Sequence, residues 1–259
     1  AEIEGKSRTY ELTYRQPILE KPDRNLALGV TLSRQESDTS LLGEGFPLAA
    51  GANEQGETRV SAVRFFQEYV QRSSSQVFAA RSQFSLGTSF LGATTNDSGP
   101  DSRFLAWRGQ AQYVRLLAPE TLLIVRSDIQ LADRSLLSLE QIGIGGAASV
   151  RGYRQDLLLT DNGAIVGAEV RIPVWRVPKV KGVLQVAPFI DFGLGWNHSG
   201  DKPNPDSDKL LGAGVGLLWQ MGDRFNARLD YGIPLINVGG GDRTLQEKGV
   251  YFRINYFPF

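Results

Sequence analysis

The 259-residue chain has no cysteine, one histidine and one methionine. Without cysteine there are no disulfides and no thiolate metal sites, a pattern that fits an exported bacterial envelope protein. With His198 as the single imidazole, a Ser-His-Asp triad or a multi-histidine metal centre has little to build on. The 28 basic and 28 acidic residues cancel, and no basic run tracks phosphates, so nucleic acid is not an expected partner. No nucleophile elbow or Walker loop is present. Gly143-Ile-Gly145 lacks the third glycine and the helix of a dinucleotide loop. An enzyme, a cofactor and a resident metal are therefore not expected; the acidic stretch Asp201–Asp208 reads as a solvated loop. No apolar run approaches the ~20 residues of a spanning helix, which leaves strands that cross a membrane untouched. Ala1 does not open a signal peptide, so either one has been removed or the chain is a fragment.

What is present is period-two alternation between turn residues. It predicts strands at Lys6–Gln16, Arg24–Arg34, Thr58–Gln71, Gln76–Leu91, Ser102–Leu117 and Thr121–Ala132. Further strands are predicted at Asn162–Trp175, Gly182–His198, Lys209–Met221, Arg224–Pro234 and Lys248–Phe259. One face is apolar, as in Leu26, Leu28, Val30 and Leu32; the other is polar, as in Arg126, Asp128 and Gln130, or Arg228 and Asp230. The parity of Thr58–Gln71 stays open, because Phe65 and Phe66 are adjacent. Trp107, Trp196, Trp219, Tyr69 and Tyr113 read as lipid-facing or girdle aromatics.

Connections sort by length. Short ones fall at 17–23, 72–75, 118–120, 176–181 and 221–223; long polar ones fall at 35–57, 92–101, 133–161, 199–208 and 236–246. Short turns on one side and long loops on the other mark an antiparallel transmembrane β-barrel, with the polar strand faces around a hydrated lumen. The expected fold is all-β, a single barrel domain over 1–259 with about eleven or twelve strands. Complete bacterial barrels have even strand numbers, so an odd count points to part of a larger barrel, or to one strand missed.

One stretch belongs to neither face. Ile142-Gly-Ile-Gly-Gly-Ala-Ala-Ser-Val-Arg-Gly-Tyr-Arg154 carries too much glycine for a helix and would make a weak strand. It presents Arg151 between Val150 and Gly152, beside Tyr153. A long loop folded into a cavity would bring that guanidinium to carboxylates. By alternation Glu169 and Asp191 face the lumen from adjacent strands, and a planar fork pairs with carboxylates in a way lysine cannot. The alternative is that Arg151 only anchors the loop.

At these residues the sequence resembles a known group. Gly145-Gly-Ala-Ala-Ser-Val-Arg-Gly-Tyr153 resembles the inward-folded loop tip of the outer-membrane superfamily of barrel-assembly and two-partner-secretion transporters. Gly167-Ala-Glu-Val-Arg171 and Pro188-Phe-Ile-Asp-Phe-Gly193, Gly193 included, resemble the motifs of its next two strands. Gln141-Ile-Gly before the tip and Arg154-Gln-Asp after it point to the TpsB, or haemolysin secretion/activation, branch.

The resemblance implies a sixteen-strand barrel in the bacterial outer membrane, with POTRA domains and first strands upstream of this chain. It implies passage of an unfolded exoprotein, without nucleotide hydrolysis. The implied partners are that exoprotein, outer-membrane lipid and lipopolysaccharide, and the barrel-assembly machinery during biogenesis. Phe259, with Phe257 nearby, resembles the C-terminal aromatic signal that this machinery reads, although Phe259 is out of step with Phe252, Ile254 and Tyr256 and Pro258 precedes it. A barrel-assembly insertase and a passive porin-like pore stay open as alternatives.

Overall fold

The computed structural model describes residues 3–199, 207–238 and 244–258. Eleven long antiparallel strands run in chain order around one curved sheet. The first six are β1 (Ile3–Glu20), β2 (Arg24–Leu41), β4 (Glu57–Arg72), β5 (Gln76–Thr88), β6 (Leu105–Ala118) and β7 (Thr121–Ala132). A two-residue strand, β3 (Glu44–Gly45), pairs with the end of β2. After the central loop come β10 (Asn162–Val177), β11 (Gly182–Trp196), β12 (Lys209–Met221), β13 (Phe225–Pro234) and β14 (Val250–Tyr256). Within the loop, β8 (Ile142–Ile144) and β9 (Leu158–Thr160) form a separate hairpin. Among the described residues β1 and β14 each pair on one side only, so the barrel wall is open between them.

The outward face is apolar because each strand alternates. Leu12, Leu32, Phe84, Leu105, Val166, Ile190, Leu217, Leu229 and Ile254 all point out and are exposed. Aromatics join them: Trp175 and Trp219 lie 6.2 Å apart at a tilt. The open parity of β4 resolves here. Val63 and Phe65 are exposed, while Ala62 and Phe66 are buried inside. Phe66 carries the Arg81 guanidinium 4.1 Å above its ring, which keeps an aromatic tolerable on the polar side.

Several boundaries differ from the alternation. β1 and β2 span 18 residues each, and the polar stretch Gln35–Ser40 belongs to β2. Backbone pairing to β1 and β4 extends the hairpin past the ~9–11 residues a bilayer requires, where no apolar face is needed. Pro17 lies inside β1 at a register shift, and Pro173 lies at another in β10. A bulge is where a strand tolerates a residue without an N–H. β5 stops at Thr88; Phe90 and Leu91 fall in a 3₁₀ turn with Leu91 at φ 58°. Ser102 lies before β6 and donates its hydroxyl to the Thr88 carbonyl, 2.8 Å. β14 ends at Tyr256, and the half-exposed Phe257 donates its N–H to the Arg224 carbonyl, 2.8 Å. Phe259 lies outside the described residues.

The largest correction concerns the lumen. Its inner face is not polar and wet throughout. Ile165 of β10 and Leu210 of β12 point inward and are buried with the loop's Ile142, Ile144, Val150, Tyr153, Leu157 and Leu158. Across the barrel, Val60, Ala62, Phe104 and Ala106 pack on Leu136 and Leu137 of the same loop. The loop therefore carries two apolar surfaces and dries the wall wherever it lies.

Candidate functional site: a loop latched inside the barrel

Glycine did not prevent the loop from forming a strand. Ile142 and Ile144 pair with Thr160 and Leu158, and the apolar side chains of this hairpin drive it onto the wall. Beyond the hairpin the tip turns on itself. Ser149 Oγ donates to the Gly145 carbonyl (2.7 Å) and accepts the Gly145 N–H (2.8 Å). Gly146 N–H reaches the Val150 carbonyl at 3.0 Å. This folds Val150, fully buried, and Arg151, 3 % exposed, toward β10–β13.

Arg151 meets three carboxylates there. Nε and Nη2 grip Asp191 bidentately at 2.7 and 3.1 Å, and the backbone N–H of Arg151 adds a third donor at 3.2 Å. Nη1 reaches Glu169 at 2.6 Å and Asp230 at 3.5 Å. The guanidinium stacks 3.4 Å above the Phe189 ring. Three wall arginines complete the box. Arg228 binds Glu169 (2.6 Å) and Asp230 (2.6 Å), Arg171 binds Glu169 (2.8 Å), and Arg126 binds Asp191 (3.1 Å) and the Ser149 carbonyl (2.9 Å). Four cations thus face three anions: Arg151 and the carboxylates are buried, whereas Arg126 and Arg171 are 33 % and 30 % exposed on a neighbouring cavity. Each buried carboxylate is paired and hydrogen-bonded, the condition under which buried charge is tolerated.

Strand register explains why the box closes. Asp191 pairs with Gly167 on one side and Gly212 on the other, and Gly167 pairs with Arg126. The two glycines leave room beside Asp191. A Cβ at 212 would sit on the Arg151 carbonyl, so the loop backbone lies directly on the β12 backbone. Gly193 serves the apolar side: a Cβ there would lie 2.5 Å from Ile144 Cγ2 and 2.9 Å from Val150 Cγ2.

Gly152 and Tyr153 finish the tip. Gly152 adopts φ +105°, which side chains resist, and its N–H donates to the Tyr251 hydroxyl at 2.9 Å. That hydroxyl donates onward to the Tyr153 carbonyl, 2.6 Å. The Tyr153 hydroxyl sits 2.9 Å from the carbonyls of both Leu211 and Ile236 and accepts their N–H groups at 3.2 Å. We expect Tyr153→Phe to cost about 1–2 kcal/mol, because backbone groups lose a buried partner. The check is protease resistance of the loop tip, which should fall while the barrel still forms.

Alternation had already put Arg126, Arg228 and Asp230 on the inward side. What it lacked was register, so only Glu169 and Asp191 were singled out as partners. Asp161 was missed entirely. Its buried carboxylate accepts the N–H groups of Leu136 (2.9 Å) and His198 (2.9 Å) and the Gln141 amide (3.0 Å), tying the base of the loop to itself and to the next loop. A buried Asp between two loops has no periodic signature.

The tip leans on β10–β13 and leaves the opposite side open. A cavity of about 770 Å³ lies between Ala148 and Ser149 of the loop and the inner faces of β1 to β7, with Arg15, Glu68, Arg81, Arg108 and Asp128 among its lining. These pair with one another: Arg15 and Arg81 share Glu68 at 2.8 and 2.7 Å, and Arg108 grips Asp128 at 2.7 Å. A second cavity of about 500 Å³ shares Arg15, Glu68, Arg81 and Arg108 with it and continues to Arg64 and Glu140.

An antiparallel barrel wall, apolar outside, with a long loop folded inward and held by one arginine in a carboxylate box, defines a transmembrane barrel plugged by its own loop. The chain belongs to the haemolysin secretion/activation protein family ShlB/FhaC/HecB, whose match covers residues 1–218. The outer membrane transporter CdiB of Dickeya dadantii is 24 % identical over 217 residues, 82 % of this chain and 37 % of that protein. The structure of CdiB from Escherichia coli superposes with a TM-score of 0.80 at 21 % identity, covering 97 % of this chain and 45 % of that one. BamA from Haemophilus ducreyi, lacking POTRA domains 1–3, shares the fold at TM-score 0.62 and 12 % identity, covering 98 % of this chain and 55 % of that one. The chain thus spans less than half the length of the CdiB proteins it matches.

Proposed function

We propose that this chain forms the lumen wall of a bacterial outer-membrane transporter that passes an unfolded exoprotein, in the manner of two-partner secretion. One observation carries this reading. The loop is latched to one side of the lumen and leaves a cavity of about 770 Å³ along the other. Its lining mixes guanidinium–carboxylate pairs and amides with the apolar side chains of Val70, Ala79, Ala80, Ala111 and Ile165, and the polar groups offer a moving chain exchangeable hydrogen bonds. Arg151, Gly152, Tyr153 and Val150 fix the loop; Glu169 and Asp191 receive it; Gly193 makes room for it.

The work is passage rather than chemistry, so no catalytic residue is assigned. The outward apolar face contacts lipid and lipopolysaccharide. Phe257, with Phe259 beyond it, is offered to the barrel-assembly machinery during biogenesis.

The magnitude of docking decides how the loop behaves. Leu136, Leu137, Ile142, Ile144, Val150, Leu157 and Leu158 are all at most 8 % exposed. At ~1.5–3 kcal/mol each, undocking would forfeit on the order of 10–20 kcal/mol before the arginine box is counted. Release of the loop would return backbone entropy of ~1–2 kcal/mol per freed residue, which offsets much of this. We infer that the docked loop is the working state and that the exoprotein moves beside it, along the cavity the loop leaves open.

The test is deletion of the gene in its host with complementation. Loss of one exoprotein from the medium, with other outer-membrane barrels at normal levels, supports the reading. A general loss of barrels would replace it with an insertase. Normal secretion together with a large steady conductance would replace it with a passive pore.

A further inference from the structure

The structure assigns a second latch to the loop, on the opposite wall and with the charges exchanged. Glu140, in the loop's stem, reaches Arg64 of β4 in a bidentate pair: Nη2 to Oε1 at 2.6 Å and Nη1 to Oε2 at 3.0 Å. The two side chains are 11 % and 8 % exposed, so the pair is shielded nearly as well as the tip. Arg64 is also held from both sides of its strand. Nε donates to Ser33 Oγ of β2 at 3.1 Å, and Nη1 donates to Ser85 Oγ of β5 at 3.0 Å. Glu140 is held in turn, since Gln130 Nε2 donates to its backbone carbonyl at 2.8 Å. Each nitrogen of the Arg64 guanidinium thus has an acceptor.

The two latches engage different walls. The tip fixes the loop to β10–β13, and the stem fixes it to β4 with its neighbours β2 and β5. Between them the loop crosses the lumen as a brace. Leu136 and Leu137 pack beside the stem latch against Val60 and Ala62 of β4, while Ile144 and Val150 pack beside the tip. Arg64 and Glu140 are therefore positioning residues: they set where the stem lies at the end of the second cavity, which both of them line. The two latches share no residue, so each can be removed without touching the other.

This inference rests on the loop's place in the lumen, and on the transport reading only for its consequence. The experiment measures the two separately, in the full-length protein in planar bilayers and in secreting cells. Four variants are compared with wild type: Glu140→Gln, Arg151→Ala, both together, and the exchange Arg64→Glu with Glu140→Arg. Each single variant should make the channel current noisier, with the other latch keeping the loop in place. The double variant should raise open time by at least about tenfold over the product of the singles, since a decade is only ~1.4 kcal/mol of latch energy. The exchange should restore the quiet current, with Ser33 and Ser85 donating to the new carboxylate; a residue that merely fills space would not be rescued by exchange. Strict independence of the two sites, or a wild-type current in Glu140→Gln, would overturn the second latch. A current that behaves as expected with secretion unchanged throughout would keep the latch and show that the loop's position does not limit transport, while the transport reading stands or falls on the deletion test.

Discussion

Asp191→Ala should damage loop docking more than Arg151→Ala, although Arg151 is the residue that enters from the loop. Removing Arg151 leaves Glu169, Asp191 and Asp230 facing Arg126, Arg171 and Arg228, three charges against three. The carboxylates keep partners, and the loss is that of charged hydrogen bonds, about 1.5–3 kcal/mol. Removing Asp191 leaves four guanidiniums against two carboxylates. It also strips acceptors from Arg151 Nε, Nη2 and N–H and from Arg126 Nη2 at a position with no solvent access. An uncompensated buried charge costs about 3–5 kcal/mol. Limited proteolysis within 133–161 reads this directly in outer-membrane preparations: cleavage should rise modestly in Arg151→Ala and strongly in Asp191→Ala. Secretion should fall in the same order at matched barrel levels. Equal effects, or the reverse order, would mean that the box is wetter than its burial indicates. Arg151→Lys should fall nearer to alanine than to wild type, because an ammonium cannot serve Asp191 and Glu169 in one plane.

Gly212→Val carries the second large effect. Its new side chain would occupy the place of the Arg151 carbonyl, and both groups belong to backbones that cannot step aside. Overpacking ordinarily costs ~1–3 kcal/mol, and more where nothing can yield. The loop tip should leave β12 altogether, giving a protease-sensitive loop in a barrel that still migrates as folded on semi-native gels. Gly193→Ala is a contrasting case. Its neighbours are the methyl ends of Ile144 and Val150, so the defect should be milder and should recover in part when Ile144→Ala is added. If Gly212→Val docks and secretes like wild type, the direct backbone contact is wrong.

Some of this was legible in the chain and some was not. Alternation placed Leu26, Leu28, Val30 and Leu32 correctly, because a strand with lipid on one face has no freedom in which side is apolar. It also placed Arg228 and Asp230 inside. It failed where alternation carries no information. The polar end of β2 pairs through its backbone alone, and Phe66 is an aromatic on a polar face made acceptable by Arg81. The loop's dry underside was hidden because Ile165 and Leu210 are single apolar residues on inward faces otherwise polar or glycine-rich. Arg151 stood out from its setting in a glycine-rich stretch, whereas Arg64 and Glu140 looked like two more charges in a barrel. Their pairing, 76 residues apart, exists only in the fold.

The central claim is that the loop works docked, and pinning it tests that most directly. An ideal Cβ at position 193 lies 2.9 Å from Val150 Cγ2, close enough for Val150→Cys and Gly193→Cys to join, with Ile144→Ala to clear the space. The chain has no other cysteine to interfere. Secretion by this variant is measured oxidised and reduced, with bridge formation quantified in the same cells. The docked-loop account predicts the same secretion in both states. Secretion that stops on oxidation and returns on reduction would contradict it, and would mean that the tip must leave β11 for the exoprotein to pass.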